Sequence, residues 1–324
     1  MQTSKVYDRL MSLLQQLTQH AVRDLYCACF GKNLMASGCN VVSFDEVNIH
    51  FPHLEQWFLD LDKTPNTLLD HISSLKSTRL GIYYEALWEY YLRYAGVADL
   101  LAKNRQVRRN KQTIGEYDFV YYCRRRQIHI HLETAIKFYI GVQGCDAENQ
   151  PSKLSSWIGP ARRDRLDIKY ATLIDRQMRL PTTEEGRESL HELGIDGVSS
   201  ELALKGMLFY PASVLGMQSP IGSELSHSRG IQLREDELLL LLSEAENSSW
   251  VVLERREWCS PFLLSDKDRL LTARALKSFF LNYFSSKEES LVFMPIQIAE
   301  MNKDVLWQEK QRYFIVGNDW NKVN

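Results

Sequence analysis

A chain of 324 residues that is 44% hydrophobic, 25% charged and 11% aromatic lies within the globular range, which excludes disordered, collagen-like and disulfide-scaffold proteins. Its length predicts about two domains. Lys and Arg number 39 against 41 Asp and Glu, for a net charge of −2, so no global positive field marks a nucleic-acid partner and any such surface must be local.

Apolar positions Val6, Leu10, Leu13, Leu17, Val22, Leu25 and Cys29 follow a helical period that Gly31 ends, which predicts one long helix over 5–31. Leu54, Trp57, Phe58 and Leu61 predict a second, Thr64-Pro65 breaks the pattern, and Leu68 to Leu75 resumes it. From Leu80 to Tyr94 the spacing is again helical, with Glu85 and Glu89 one turn apart among aromatics. Period-two alternation through 106–109, 116–122 and 128–140 then predicts strands. Gly159-Pro160 predicts the start of a helix over 162–179, and 205–210 reads as a strand. The turn-rich segment 217–232 is the expected domain boundary. Beyond it the pattern predicts a helix over 233–246, a strand over 250–254, a helix over 265–284 opened by Ser265-x-x-Asp268, and strands near 290–298 and 311–316.

The six cysteines, Cys27, Cys29, Cys39, Cys123, Cys145 and Cys259, show no paired C-x-x-C spacing, so reduced thiols are expected rather than a zinc site. The N-terminal segment lacks the charge and apolar run of a signal peptide, and no stretch reaches about 18 apolar residues, so the expectation is a cytoplasmic protein with no membrane partner.

The chemistry lies in the hairpin. With the polar turn Arg124-Arg125-Arg126-Gln127 joining two strands, pairing Cys123 with Ile128 places Asp118 opposite Glu133 on one face. A slip of one residue would remove that opposition. His129, His131, Glu133, Ala135, Lys137 and Tyr139 share one face of the second strand, whose other face is apolar. Two adjacent acids repel unless a cation sits between them, and hard oxygen donors suit Mg²⁺ or Mn²⁺. His129 and His131 read as ordinary strand-face residues, and a solvated or ion-paired face is the bland alternative for the acids.

The order of a helix bearing Glu85, a strand bearing Asp118, a strand bearing Glu133 and Lys137, and then a helix resembles the core of the PD-(D/E)xK nuclease superfamily. The wording Arg79-Leu-Gly-Ile-Tyr-Tyr-Glu85-Ala-Leu-Trp, Gly115-Glu-Tyr-Asp118-Phe and His131-Leu-Glu133-Thr-Ala-Ile-Lys137-Phe-Tyr, with Trp157-Ile-Gly-Pro160, Asp164-Arg-Leu-Asp167 and Lys205-Gly-Met-Leu-Phe-Tyr-Pro211, is similar to the bacterial family known as domain of unknown function 1853. The resemblance covers most of the chain. It implies an α/β (α+β) protein whose restriction-endonuclease-like mixed sheet is flanked by helices. A helical region over 1–78, a core over 79–215 and an α+β region over 216–324 would follow. It also implies Asp118, Glu133 and Glu85 as metal ligands and Lys137 as the catalytic lysine. Two departures stand out. No proline precedes the aspartate, and the lysine lies four residues after the glutamate, with Ala135 at the usual position. An undistorted strand separates 133 from 137 by roughly 13 Å, so Lys137 would need a bulge or a bent stem to reach back.

Residues 101–140 hold nine Lys and Arg against three acids, a local +6 that leaves −8 for the remainder. That asymmetry, including Arg108 and Arg109, fits a phosphate-tracking surface. Arg162, Arg165 and Lys169 would extend it as a stripe near a helix N-terminus. The expected function is Mg²⁺- or Mn²⁺-dependent hydrolysis of DNA or RNA. The alternative is a nuclease-fold protein without efficient chemistry that serves as a nucleic-acid-binding or protein-interaction module. The C-terminal 100 or so residues carry no chemical motif and are left as a substrate surface or a homodimer contact.

Overall fold

The computed structural model describes residues 12–36, 52–142, 151–214, 216–285, 296–304, 306–318 and 320. Strands and helices alternate irregularly, the strands pair both parallel and antiparallel, and the fold is mixed α+β. The chain divides into two compact units, one of residues 1–136 and 170–205, the other of 137–169 and 206–324. Cys39, Cys145 and the expected strand residues 290–295 lie outside the described residues. No helix among those described is long and apolar enough to cross a membrane.

The first unit opens with helical residues 12–16 and then helix α1 (His20–Phe30). The single helix expected over 5–31 is therefore interrupted. The cause is a remote cap: the Asp62 carboxylate accepts the Thr18 and Gln19 amide N–H groups at 2.8–3.1 Å and the Thr18 hydroxyl at 2.9 Å. An acid at a helix start satisfies donors that the helix itself leaves open. It comes from 43 or 44 residues away, where no local pattern reveals it. Helices α2 (Pro52–Lys63), α3 (Asn66–Ser73) and α4 (Leu80–Tyr94) fall where the apolar spacing puts them. Helix α4 buries Tyr83, Tyr84, Leu87, Trp88, Tyr91 and Leu92. Tyr83 donates its hydroxyl to the buried Asp24 at 2.8 Å.

Strands β1 (Ala98–Arg109), β2 (Gln112–Cys123) and β3 (Ile128–Gly141) form an antiparallel meander. The β1–β2 turn places Asn110 and Lys111 at φ +46° and +68°, the left-handed pair that a two-residue hairpin requires. Between β2 and β3, Cys123 pairs with Ile128 and the register continues to Phe119 and Leu132. This is the pairing expected from the four-residue turn.

Strand β4 (Trp157–Ile158) and helix α5 (Leu166–Thr172) follow. The helix expected over 162–179 begins later and ends early. The Gly159 amide donates to Asp164 O at 2.7 Å, that of Arg162 donates to Gly159 O at 2.8 Å with Arg162 at φ +61°, and Arg165 bridges Ile158. This closed turn delays the helix to Leu166. After Thr172 the chain widens into a π-helical turn, Leu173–Gln177, with Met178 N donating to Leu173 O. Helix α6 (Glu184–His191), which the sequence reading missed, is capped by Thr183 accepting from the Gly186 amide. Its residue Leu190 joins Val107, Tyr117, Val120, Leu180 and Ile195 in a buried cluster.

Strand β5 (Ser199–Pro211) is longer than the expected 205–210. In the second unit its last four residues run parallel to β6 (Arg229–Arg234). The remaining elements are α7 (Glu235–Glu244), β7 (Ser249–Val252), β8 (Leu263–Leu264), β9 (Leu271–Thr272), α8 (Ala273–Ser285), β10 (Ile296–Lys303) and β11 (Trp307–Val316). The sheet order is β6-β11-β10-β7-β9, with β11 parallel to β6 and antiparallel to β10. Helices α7 and α8 cover one face over Leu238, Leu242, Trp250, Leu276, Phe280, Ile298 and Ile315. The helix expected from Ser265 starts at Ala273, directly after β9 (Leu271–Thr272), which takes up the end of the intervening chain.

Candidate functional site

The site lies around Asp118, in the middle of the β1–β2–β3 meander. Residue Asn104 falls between the β1–β2 pairs Lys103–Phe119 and Arg105–Tyr117, at the level of Asp118. It is held at φ +50°, an uncommon conformation for a strand interior residue other than glycine. On the other side of Asp118, the β2–β3 pairing recorded for the strands runs only to Phe119–Leu132. There the Asp118 carboxylate accepts the Thr134 amide N–H at 2.9 Å, so a side chain does what a strand carbonyl would otherwise do. Beyond this point Tyr117 and Val120, three residues apart, share one apolar cluster, which a flat strand does not permit.

This irregularity gathers carboxylates. Asp118 is pushed up to about 7, first by burial and then by the neighbouring negative charges of Glu133 and Glu85; the Thr134 amide works the other way. Glu85, half-buried on α4, is also raised by burial, while the Asn104 carboxamide donates to it at 3.4 Å. Glu133 is wholly buried. Its Oε1 is 2.8 Å from His131 Nε2, and its Oε2 accepts from Gln177 on the π-helical turn. The His131 ring is also buried and stands edge-on to Tyr117 with centroids 4.7 Å apart. Burial lowers its pKa to about 4. A neutral ring beside a carboxylate donates from Nε2, which leaves Nδ1, 3.3 Å from Ser200 Oγ, to accept.

Of the residues singled out from the sequence, Glu133 and Glu85 both raise the Asp118 carboxyl through their charge. Lys137 lies in the second unit, ion-paired with Asp164. Asn104, Gln177 and Thr134 were not anticipated, and His131 was set aside as a strand-face residue. Asparagine inside a strand was the one visible signal for Asn104. Gln177 had none, because it depends on the π-turn.

Most of the cationic residues expected to form a basic surface are ion-paired. Of the nine cationic residues in 101–140, six meet acids: Lys103 pairs with Glu89, Arg105 with Glu192, Arg109 with Glu185, Arg124 with Asp99, Arg126 with Glu201, and Lys137 with Asp164. Four of those acids, at 164, 185, 192 and 201, come from later in the chain and offset the local +6. Arg108 donates to Gln106. The stripe of Arg162, Arg165 and Lys169 does not exist as a helical face, since Arg162 sits in the turn, Arg165 precedes α5 and pairs with Asp167, and only Lys169 is on the helix.

Hard carboxylate oxygens are the kind of donor that Mg²⁺ and Mn²⁺ take. Asp118, Glu133 and Glu85 offer hard carboxylate oxygens, and the burden of negative charge is already visible in the raised Asp118. Among the described residues, no three or more His, Cys, Asp and Glu side chains form a ready-made metal cage.

The fold and this site define a mixed α+β protein with carboxylates on two antiparallel strands, Asp118 and Glu133, and on a helix, Glu85. Residues 23–316 match the family described as Domain of unknown function (DUF1853), and the chain belongs to that family. No curated protein and no solved structure matches it.

Proposed function

We propose that the chain is a metal-dependent phosphodiesterase acting on DNA or RNA, built on a restriction-endonuclease-like core of the PD-(D/E)xK kind. The carrying observation is the Asp118 carboxylate of β2, which accepts the Thr134 amide of β3 next to the wholly buried Glu133, while the charges of Glu133 and Glu85 raise its pKa. Mg²⁺ is usually held by one or two carboxylates, with waters and substrate phosphate oxygens completing its shell. Asp118 and Glu133 would be the principal ligands and Glu85 the third acid. A bound metal supplies a more acidic water and a polarised phosphate. The chain's own part is orientation: Thr134 holds Asp118, His131 holds Glu133, and Asn104 holds Glu85.

Full-length protein incubated with single- and double-stranded DNA and RNA tests this reading. The expected result is cleavage that needs Mn²⁺ or Mg²⁺, stops with chelator and falls at least about 100-fold in Asp118→Ala, the order of loss seen when a group stabilising the transition state is removed. Cleavage unaffected by the substitution, or none across the panel, overturns it. A second reading, a nucleic-acid-binding module without chemistry, is favoured by the engagement of Lys137 with Asp164. Retention of nucleic acid without cutting would establish that alternative.

A further inference from the structure

The two oxygens of Glu133 are held unequally. The partner of Oε1, His131, is 0% exposed, as is Glu133 itself. Its ring is fixed by the Tyr117 edge contact and by Ser200 Oγ at the opposite nitrogen. The partner of Oε2, Gln177, is a half-buried side chain on a π-helical turn, flanked by the exposed Asp175 and Arg176 on one side and Arg179 on the other. Such turns interrupt the regular helical ladder and are frequent at functional sites. Resting on the metal-dependent reading above, we propose that His131 is the positioning residue of Glu133. It holds Oε1 so that Oε2 is the oxygen given to the metal, and the Gln177 carboxamide is the exchangeable partner that the metal displaces.

The chemistry supports a division of labour. Carboxylates that ligate metals are themselves hydrogen-bonded by outer residues, whose loss costs about 10–100-fold in affinity. An imidazole wedged between a hydroxyl and a carboxylate has one stable orientation, whereas a glutamine side chain has three rotatable bonds. Exchange at Oε2 gives up the Gln177 amide hydrogen bond and forms a metal–oxygen bond. No proton moves, because the departing donor is a neutral amide.

Calorimetric titration of the full chain with Mn²⁺ tests the assignment, with the metal-free melting temperature of each variant recorded alongside. His131→Phe, which keeps the ring and removes both nitrogens, should weaken Mn²⁺ binding about 10–100-fold. His131→Gln, which restores a donor near the Nε2 position, should recover much of that loss. Gln177→Ala should bind Mn²⁺ at least as tightly as the parent, since the metal no longer competes with an amide. Equal affinity in the parent and His131→Phe, or a loss in Gln177→Ala as large as in His131→Phe, overturns the assignment and leaves the metal-dependent reading standing. A parent that takes up no Mn²⁺, matched by Asp118→Ala, removes that reading and this inference with it. Should His131→Phe fail to fold, Gln177→Ala and His131→Gln decide the question.

Discussion

The Asp118 carboxylate replaces a strand carbonyl as the acceptor for the Thr134 amide, 2.9 Å away. Thr134 is 9% exposed, so an Asp118→Ala protein leaves a buried donor unmatched and should lose about 1–3 kcal/mol in urea unfolding. Asp118→Asn keeps an acceptor and removes the buried charge. At pH 8 in chelator it should be at least as stable as the parent, and a loss equal to that of alanine would show that the charge, rather than the acceptor, holds this corner together.

The same carboxyl sets a pH dependence. Its folded pKa of about 7 lies above the ordinary aspartate value of 3.8, so between the two the native state holds a proton that the unfolded chain has already released. The stabilisation is full below about pH 4 and is lost as pH rises through about 7. His131, lowered from 6.5 to about 4, acts in the opposite sense between those two values. The difference in unfolding free energy between the parent and Asp118→Asn isolates the carboxyl: in chelator, it should move against the parent from pH 5 to pH 8. A flat difference would contradict the burial and the repulsion from Glu133 and Glu85.

Much of this geometry is written in local pattern. Helix α4 and the β2–β3 register follow from apolar spacing and a four-residue turn, because both depend on residues close in sequence. What escaped depends on remote partners. Asp62 cuts the first helix from 43 or 44 residues away, Glu185 on the missed helix α6 and Glu192 just past its end pair with Arg109 and Arg105, and Gln177 reaches Glu133 from a π-helical turn. Charge counted by segment therefore overstated the free basic surface.

Gly206 marks where two backbones meet. It has φ +129°, and a Cβ there would stand 1.7 Å from the Lys137 carbonyl oxygen. Gly206→Ala should cost more than about 3 kcal/mol, combining backbone strain with a clash that no rotamer relieves. Gly194, at φ +74° with nothing within 4 Å, gives the contrast. Its alanine variant should cost only about 1 kcal/mol, the penalty for a left-handed residue. Similar melting temperatures for the two variants would mean that the β5 and β3 backbones do not approach as described.

Lys205 is 4% exposed and donates to the Gly31 carbonyl at 2.6 Å, at the end of α1. Burial brings its pKa from 10.5 to about 7. Between those values the unfolded chain carries the proton and the native state does not, so this lysine's contribution is present above about pH 10.5 and lost as pH falls through about 7. The buried Cys29, whose pKa is raised by burial, opposes this at alkaline pH. Urea midpoints at pH 7.5 and 9.5 should therefore show a gain with pH in the parent relative to Lys205→Met. An identical pH response in the two proteins would mean that the ammonium remains charged and hydrated.

Lys137 separates the proposed chemistry from architecture. Its partner Asp164 and the lysine are 36% and 31% exposed, and pairs so placed contribute about 0–1 kcal/mol. Neither Lys137→Met nor Asp164→Asn should therefore shift unfolding by more than about 1 kcal/mol. If the lysine assists hydrolysis, Lys137→Met should slow cleavage by about 10²–10⁴-fold, the range for proton-transfer or charge-stabilising groups. Asp164→Asn, which gives up the competing carboxylate, should cleave at least as fast as the parent. A Lys137→Met protein that cuts at the parental rate would assign the lysine to the ion pair alone. The displaced position four residues beyond Glu133 would then be the physical reason, since a side chain committed to Asp164 has no remaining length for a phosphate.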